Sequence, residues 1–122
     1  MLILAIVWVS VNRIYLTLSA TNADFYHKAA TELEDAVKLA PTDPKLAYNL
    51  GLVYTRLGIN DKAIEKFKRA IDLKPNYESP YYALTLLYEQ TDQKKLIPDL
   101  LTGAKQNLAT YSGALSTKII EY

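Results

Sequence analysis

Apolar and small residues recur along this chain with two periods, one helical and one much longer. Residues 44 to 77 read PKLAYNLGLVYTRLGINDKAIEKFKRAIDLKPNY. Leu50 and Gly51 each share a helix face with Tyr54, four and three residues on, and Ala63, Phe67 and Ala70 share another face at spacings of four, three and seven. Gly58 separates the two sets and suits the C-terminal end of a helix. Asn60 and Asp61 stand where the second helix needs an N-cap. Pro75 stops that helix, since it cannot continue the hydrogen-bond ladder. The pattern predicts a helical hairpin. Gly51 and Ala63 are small where the two helices cross, Leu50, Tyr54 and Phe67 fill the space beside the crossing, and Ala70 lets a following unit approach.

The longer period appears when the sequence is shifted by 34 residues. Pro41 then lands on Pro75, Ala29 on Ala63, Leu33 on Phe67 and Ala36 on Ala70. In the other direction Tyr48 lands on Tyr82, Leu50 on Leu84, Tyr54 on Tyr88 and Ala70 on Ala104. Three units follow, at about residues 10–43, 44–77 and 78–111. The outer two depart from the middle one. The first has Thr17 and Ala20 in place of Gly51 and Tyr54, and the third has Thr85 in place of Gly51 and Ile97 in place of Ala63. Such departures are expected where a stack must be capped.

With Leu50, Gly51, Tyr54, Gly58, Ala63, Phe67, Ala70 and Pro75 in one window, the middle unit resembles the tetratricopeptide repeat (TPR). The resemblance implies an all-α fold. It would be a right-handed α-solenoid of about three TPR helical hairpins, with an apolar N-terminal helix and a C-terminal capping helix. The cap is expected at 112–122, where Ala114, Leu115, Lys118, Ile119 and Tyr122 recur at helical spacing. Pro98 fits the third unit's second helix only in its first turn, which places that helix's start near Leu96.

The resemblance also implies a function: such repeats bind other molecules along a concave groove lined by the first helix of each unit. Carried onto the middle unit, the groove positions are Lys45, Tyr48, Leu52, Thr55 and Arg56. In the third unit they are Ser79, Tyr82, Leu86, Glu89 and Gln90. Tyr48 and Tyr82 are expected to stack as a ladder along the groove wall. Some family members clamp a partner's terminal carboxylate with a lysine and an asparagine one turn apart on this face. Tyr48 and Leu52 occupy those places, so the expected ligand is instead a protein or an extended or helical peptide with aromatic and apolar contacts.

Residues 1–20 differ from the 21–122 TPR domain. LILAIVWVSV, at 2–11, is apolar except for Ser10, and Arg13 is the only charge before Asp24. Ten residues rise only about 15 Å, half of a bilayer. The stretch from Leu2 to Ala20 would span one, with Arg13 inside it at a cost of several kcal/mol unless its side chain snorkels. A secretory signal would carry its positive charge before the apolar core, the reverse of this order. A buried first solenoid helix would be amphipathic, and this run is apolar all round. The preferred expectation is a membrane-associated segment at 2–20 running into the repeats, which would face the cytoplasm rather than the periplasm. The alternatives are a soluble cytoplasmic chain and self-association through the apolar helix. The whole is also similar to the C-terminal tail of bacterial O-antigen ligase or polymerase-type membrane proteins. The chain would then be an accessory tail of a glycan-processing enzyme and Met1 an internal start.

Composition narrows the function further. Fourteen basic and thirteen acidic residues nearly cancel across 122 residues, so no strong field favours nucleic acid. Lys62, Lys66, Lys68, Arg69 and Lys74 are interleaved with Glu65 and Asp72, as on a solvated helix face. Cysteine is absent, which excludes disulfides and thiolate metal sites. His27 is the only histidine, and Glu32, Glu34 and Asp35 lack the further ligands a metal site needs. Gly51, Gly58, Gly103 and Gly113 are too dispersed for a phosphate loop. The sequence proposes no catalytic residue, metal or cofactor, and the chain is read as not an enzyme.

Overall fold

The structure, a computed structural model, describes residues 22–122, and all their regular structure is helical. The apolar run and the first helix of the 10–43 unit lie outside these residues. Helix α1 covers 22–39, α2 Pro44–Arg56, α3 Asn60–Leu73, α4 Glu78–Gln90, α5 Ile97–Asn107 and α6 Gly113–Glu121. Helices α2 and α3 pack as one hairpin, α4 and α5 as the next, and α3 packs on α4 to join them. The α-solenoid expected from the repeat pattern is what the chain forms.

Local chemistry sets each boundary. Asp43 caps α2 by accepting a hydrogen bond from the Lys45 N–H (2.9 Å), and Pro44 occupies the first turn, where its missing N–H costs nothing. Gly58 ends the α2 turn at φ +73°, with its N–H on the Thr55 carbonyl and that of Ile59 on the Tyr54 carbonyl. This is a Schellman turn, which favours glycine in its left-handed position. The side chains of Asn60 and Asp61 do not cap α3, contrary to expectation. The N-cap is Ile59, without a side-chain hydrogen bond, because the turn out of α2 feeds straight into α3 at Asn60. Helix α3 ends at Leu73, before Lys74-Pro75, with Lys74 extended as a residue preceding proline must be. Helix α5 carries Pro98 in its first turn as expected, with a 3₁₀ turn at Lys94–Leu96 leading in.

The core is continuous across the hairpins and into α6. Leu50, Phe67, Tyr81, Leu84, Ile97 and Leu115 are all 1% exposed or less. A Cβ added to Gly51 would lie 2.7 Å from Phe67 Cε1, so the glycine is small to admit the facing aromatic ring. Each such buried side chain contributes about 1.5–3 kcal/mol by leaving water. Leu115 and Ile119 attach α6 to the stack, and Ser112 caps it by accepting from the Leu115 N–H. Ala114 and Tyr122, expected on the same packed face, are exposed at the helix ends. No helix of the described residues is long and apolar enough to cross a membrane.

Candidate binding groove

Helices α2 and α4 present the expected groove positions, and α6 extends the same row. Lys45, Leu52 and Arg56 on α2 are exposed, whereas Tyr48 and Thr55 are half-buried. On α4, Ser79, Tyr82, Leu86 and Glu89 are half-buried and Gln90 is exposed. Two of these have partners within the chain. The Thr55 hydroxyl donates to the Gly51 carbonyl (2.9 Å), and the Glu89 carboxylate meets Lys118 Nζ of α6 at 2.6 Å. That ion pair, with Glu121 on its other side, holds the Lys118 ammonium above its usual pKa despite partial desolvation. Glu89 therefore fastens α6 and is not free for a ligand.

Three expected residues converge. Tyr48, Ser79 and Tyr82 line a cavity of about 370 Å³ together with Glu78 and Ser112. The Glu78 carboxylate sits in the first turn of α4 and accepts the Ser112 backbone N–H at 2.8 Å, which ties the entrance of α6 to the start of α4. The expected tyrosine ladder is not formed. Tyr48 pairs with Phe67 (ring centroids 5.8 Å) and with Tyr77 (5.4 Å, edge-to-face) and not with Tyr82. Core packing sets this choice: Phe67 lies directly beneath α2, and Tyr77 enters α4 next to it. Burial, reinforced by Tyr48 and Asp43, pushes the Tyr77 hydroxyl above its ordinary pKa.

Glu78, Tyr77 and Ser112 were not among the expected site residues. A signal for them existed, because Pro44, Glu78 and Ser112 are spaced by 34, as are Asp43 and Tyr77. Continuing the shift into the last segment would have placed all of them at helix entrances along one edge. Two larger cavities, of about 390 and 420 Å³, lie between α1 and α3 and are lined by side chains of both charge signs. In the first, the Tyr54 hydroxyl donates to Glu34, with Lys62 over the Tyr54 ring at 5.5 Å. His27 is exposed, and among the described residues no group of histidine, cysteine, aspartate or glutamate could hold a metal ion.

Comparison with known proteins agrees with this architecture. Residues 53–92, from the end of α2 through α4, match the family model of the TPR repeat. Anaphase-promoting complex subunit 3 of Schizosaccharomyces pombe is 32% identical over 73 residues, covering 59% of this chain and 11% of that protein. The general transcriptional corepressor ssn6 of the same organism is 31% identical over 74 residues, covering 59% of this chain and 6% of ssn6. A crystal structure of MamA superposes with a TM-score of 0.64 at 27% identity, covering 81% of this chain and 53% of MamA. The chain thus spans a small part of the two yeast proteins and about half of MamA.

Proposed function

Starting from a chain built of tetratricopeptide repeats, we propose a non-catalytic scaffold that captures a peptide segment of a partner protein in the groove of α2, α4 and α6. The observation that carries this reading is the cavity that side chains of successive first helices, Tyr48 and Tyr82, line together with Ser79. Half-buried tyrosines give contact area at low entropic cost and keep a hydroxyl for a polar partner. Leu52 and Leu86, one turn further along the same faces, add apolar contact. The working boundaries are units at 44–77 and 78–111 with a cap at 112–122.

The test is selection of random peptides displayed on phage against the immobilised full chain. Tyr48→Ala combined with Tyr82→Ala is expected to lower recovery at least about tenfold, the scale of a lost interface hot spot. Circular dichroism checks that helical content is retained. Equal recovery by the folded double variant would overturn the groove assignment.

The apolar run at 2–11 supports a second element, a scaffold held at a membrane. Sedimentation of 1–122 and 22–122 with and without detergent tests it. Tethering predicts that only the longer form pellets and that detergent releases it. A longer form that stays soluble without detergent would remove the tether.

A further inference from the structure

We infer that the cavity at Glu78 is a cation subsite, taking the lysine ammonium or arginine guanidinium of a bound protein partner; this deepens the groove reading and rests on it. The cavity's one charged group is the half-buried Glu78 carboxylate, and among the described residues no lysine or arginine pairs with it. A carboxylate lining a cavity whose walls hold no counter-charge favours a ligand cation there.

The walls suit the same ligand. Tyr48 and Tyr82 border the cavity, and a ring face attracts a cation through its quadrupole. The chain makes this contact twice internally, with Lys62 over Tyr54 at 5.5 Å and Lys74 over Tyr77 at 5.7 Å. Ser79 and Ser112 complete the lining, so no basic side chain fills or repels the site. The Ser112 N–H holds one oxygen of Glu78 at 2.8 Å, fixing the carboxylate and leaving its other oxygen for the ligand. A place in the first turn of α4 explains an acidic residue there through the helix dipole. It does not explain why that carboxylate lines a cavity together with two tyrosines. About 370 Å³ admits one long side chain and excludes a folded element.

The same displayed library, sequenced after selection, tests this. Peptides recovered on the wild-type chain should carry lysine or arginine at one fixed position, enriched roughly tenfold over the unselected pool. Glu78→Gln keeps an oxygen to accept the Ser112 N–H, and so keeps the shape, but should return that position to the composition of the pool. Glu78→Lys should turn the preference toward aspartate and glutamate. Peptides recovered without a fixed basic position, or with one that persists in Glu78→Gln, would overturn the cation subsite and leave the groove standing. No peptides recovered at all, or peptides equally recovered by the tyrosine double variant, would overturn the groove reading and the subsite with it.

Discussion

The hairpins α2–α3 and α4–α5 place equivalent residues 34 positions apart and yet fill their helix crossings in different ways. In the first, Gly51 leaves room for the ring of Phe67, and Ala63 is buried at the start of the facing helix. In the second, the corresponding positions hold Thr85, Leu101 and Ile97, all equally buried. Leu101 is smaller than the Phe67 ring it replaces, whereas Thr85 and Ile97 are both larger than Gly51 and Ala63. The Thr85 hydroxyl is satisfied within its own helix, donating to the Tyr81 carbonyl at 2.8 Å. Both crossings are buried, although the residue and its size differ at each place, so what the two share is burial and not a residue pattern. The turns differ in the same spirit. The left-handed position is Gly58 in the first hairpin (φ +73°) and Asp92 in the second (φ 57°), each followed by an N–H that reaches back to a tyrosine carbonyl.

Exchanging residues between the hairpins tests that account. The largest effect is expected for Gly51→Thr, which drives a branched side chain into Phe67 and should cost about 2 kcal/mol in chemical denaturation. Adding Phe67→Leu, which brings in the leucine of the second hairpin and shortens the facing side chain, should recover part of that loss. Strictly additive costs would show that volume is not shared across the crossing.

A smaller effect is expected at the turns. Gly58→Ala places a Cβ in the left-handed region and should destabilise by about 1 kcal/mol. Asp92→Gly relieves the same strain and should stabilise by up to about 1 kcal/mol, reduced by the entropy glycine adds to the unfolded chain. Thermal melting of the two variants should therefore shift in opposite directions.

A further effect, confined to high pH, separates the hairpins by titration. Burial and the hydrogen bond to Glu34 push the Tyr54 hydroxyl up to about 12 from an ordinary 10. At the position corresponding to Glu34 the next unit has Lys68, so this link between units is not repeated. Between pH 10 and 12 the unfolded chain has lost this proton while the folded chain keeps it. The resulting stability is complete below pH 10 and falls as pH rises through that window. Denaturation midpoints followed from pH 9 upward should show a loss that Tyr54→Phe removes.

Much of this was legible in the residues. The repeat, the turn at Gly58, the stop at Pro75 and the place of Pro98 all depend on local rules: which residues tolerate a left-handed backbone, lack an N–H or fall on one helix face. The capping of α3 was misread for a related reason. Asn60 and Asp61 have good cap chemistry, but the Schellman turn had already set the path into the helix one residue earlier. In the groove, sequence reached Tyr48, Ser79 and Tyr82 and overlooked Glu78 and Ser112.

The sequence by itself determined that this chain makes stacked helical hairpins, since a 34-residue period in small and aromatic positions can bury its apolar faces only by stacking. Only the tertiary structure decided which side chains meet. It sent the Tyr48 ring to Phe67 and Tyr77 instead of Tyr82, gave Glu89 to Lys118, and drew the Ser112 N–H onto Glu78. Such pairings join residues 19 to 34 positions apart, and rotamer choice and the approach of whole helices set them. Local spacing carries no record of either.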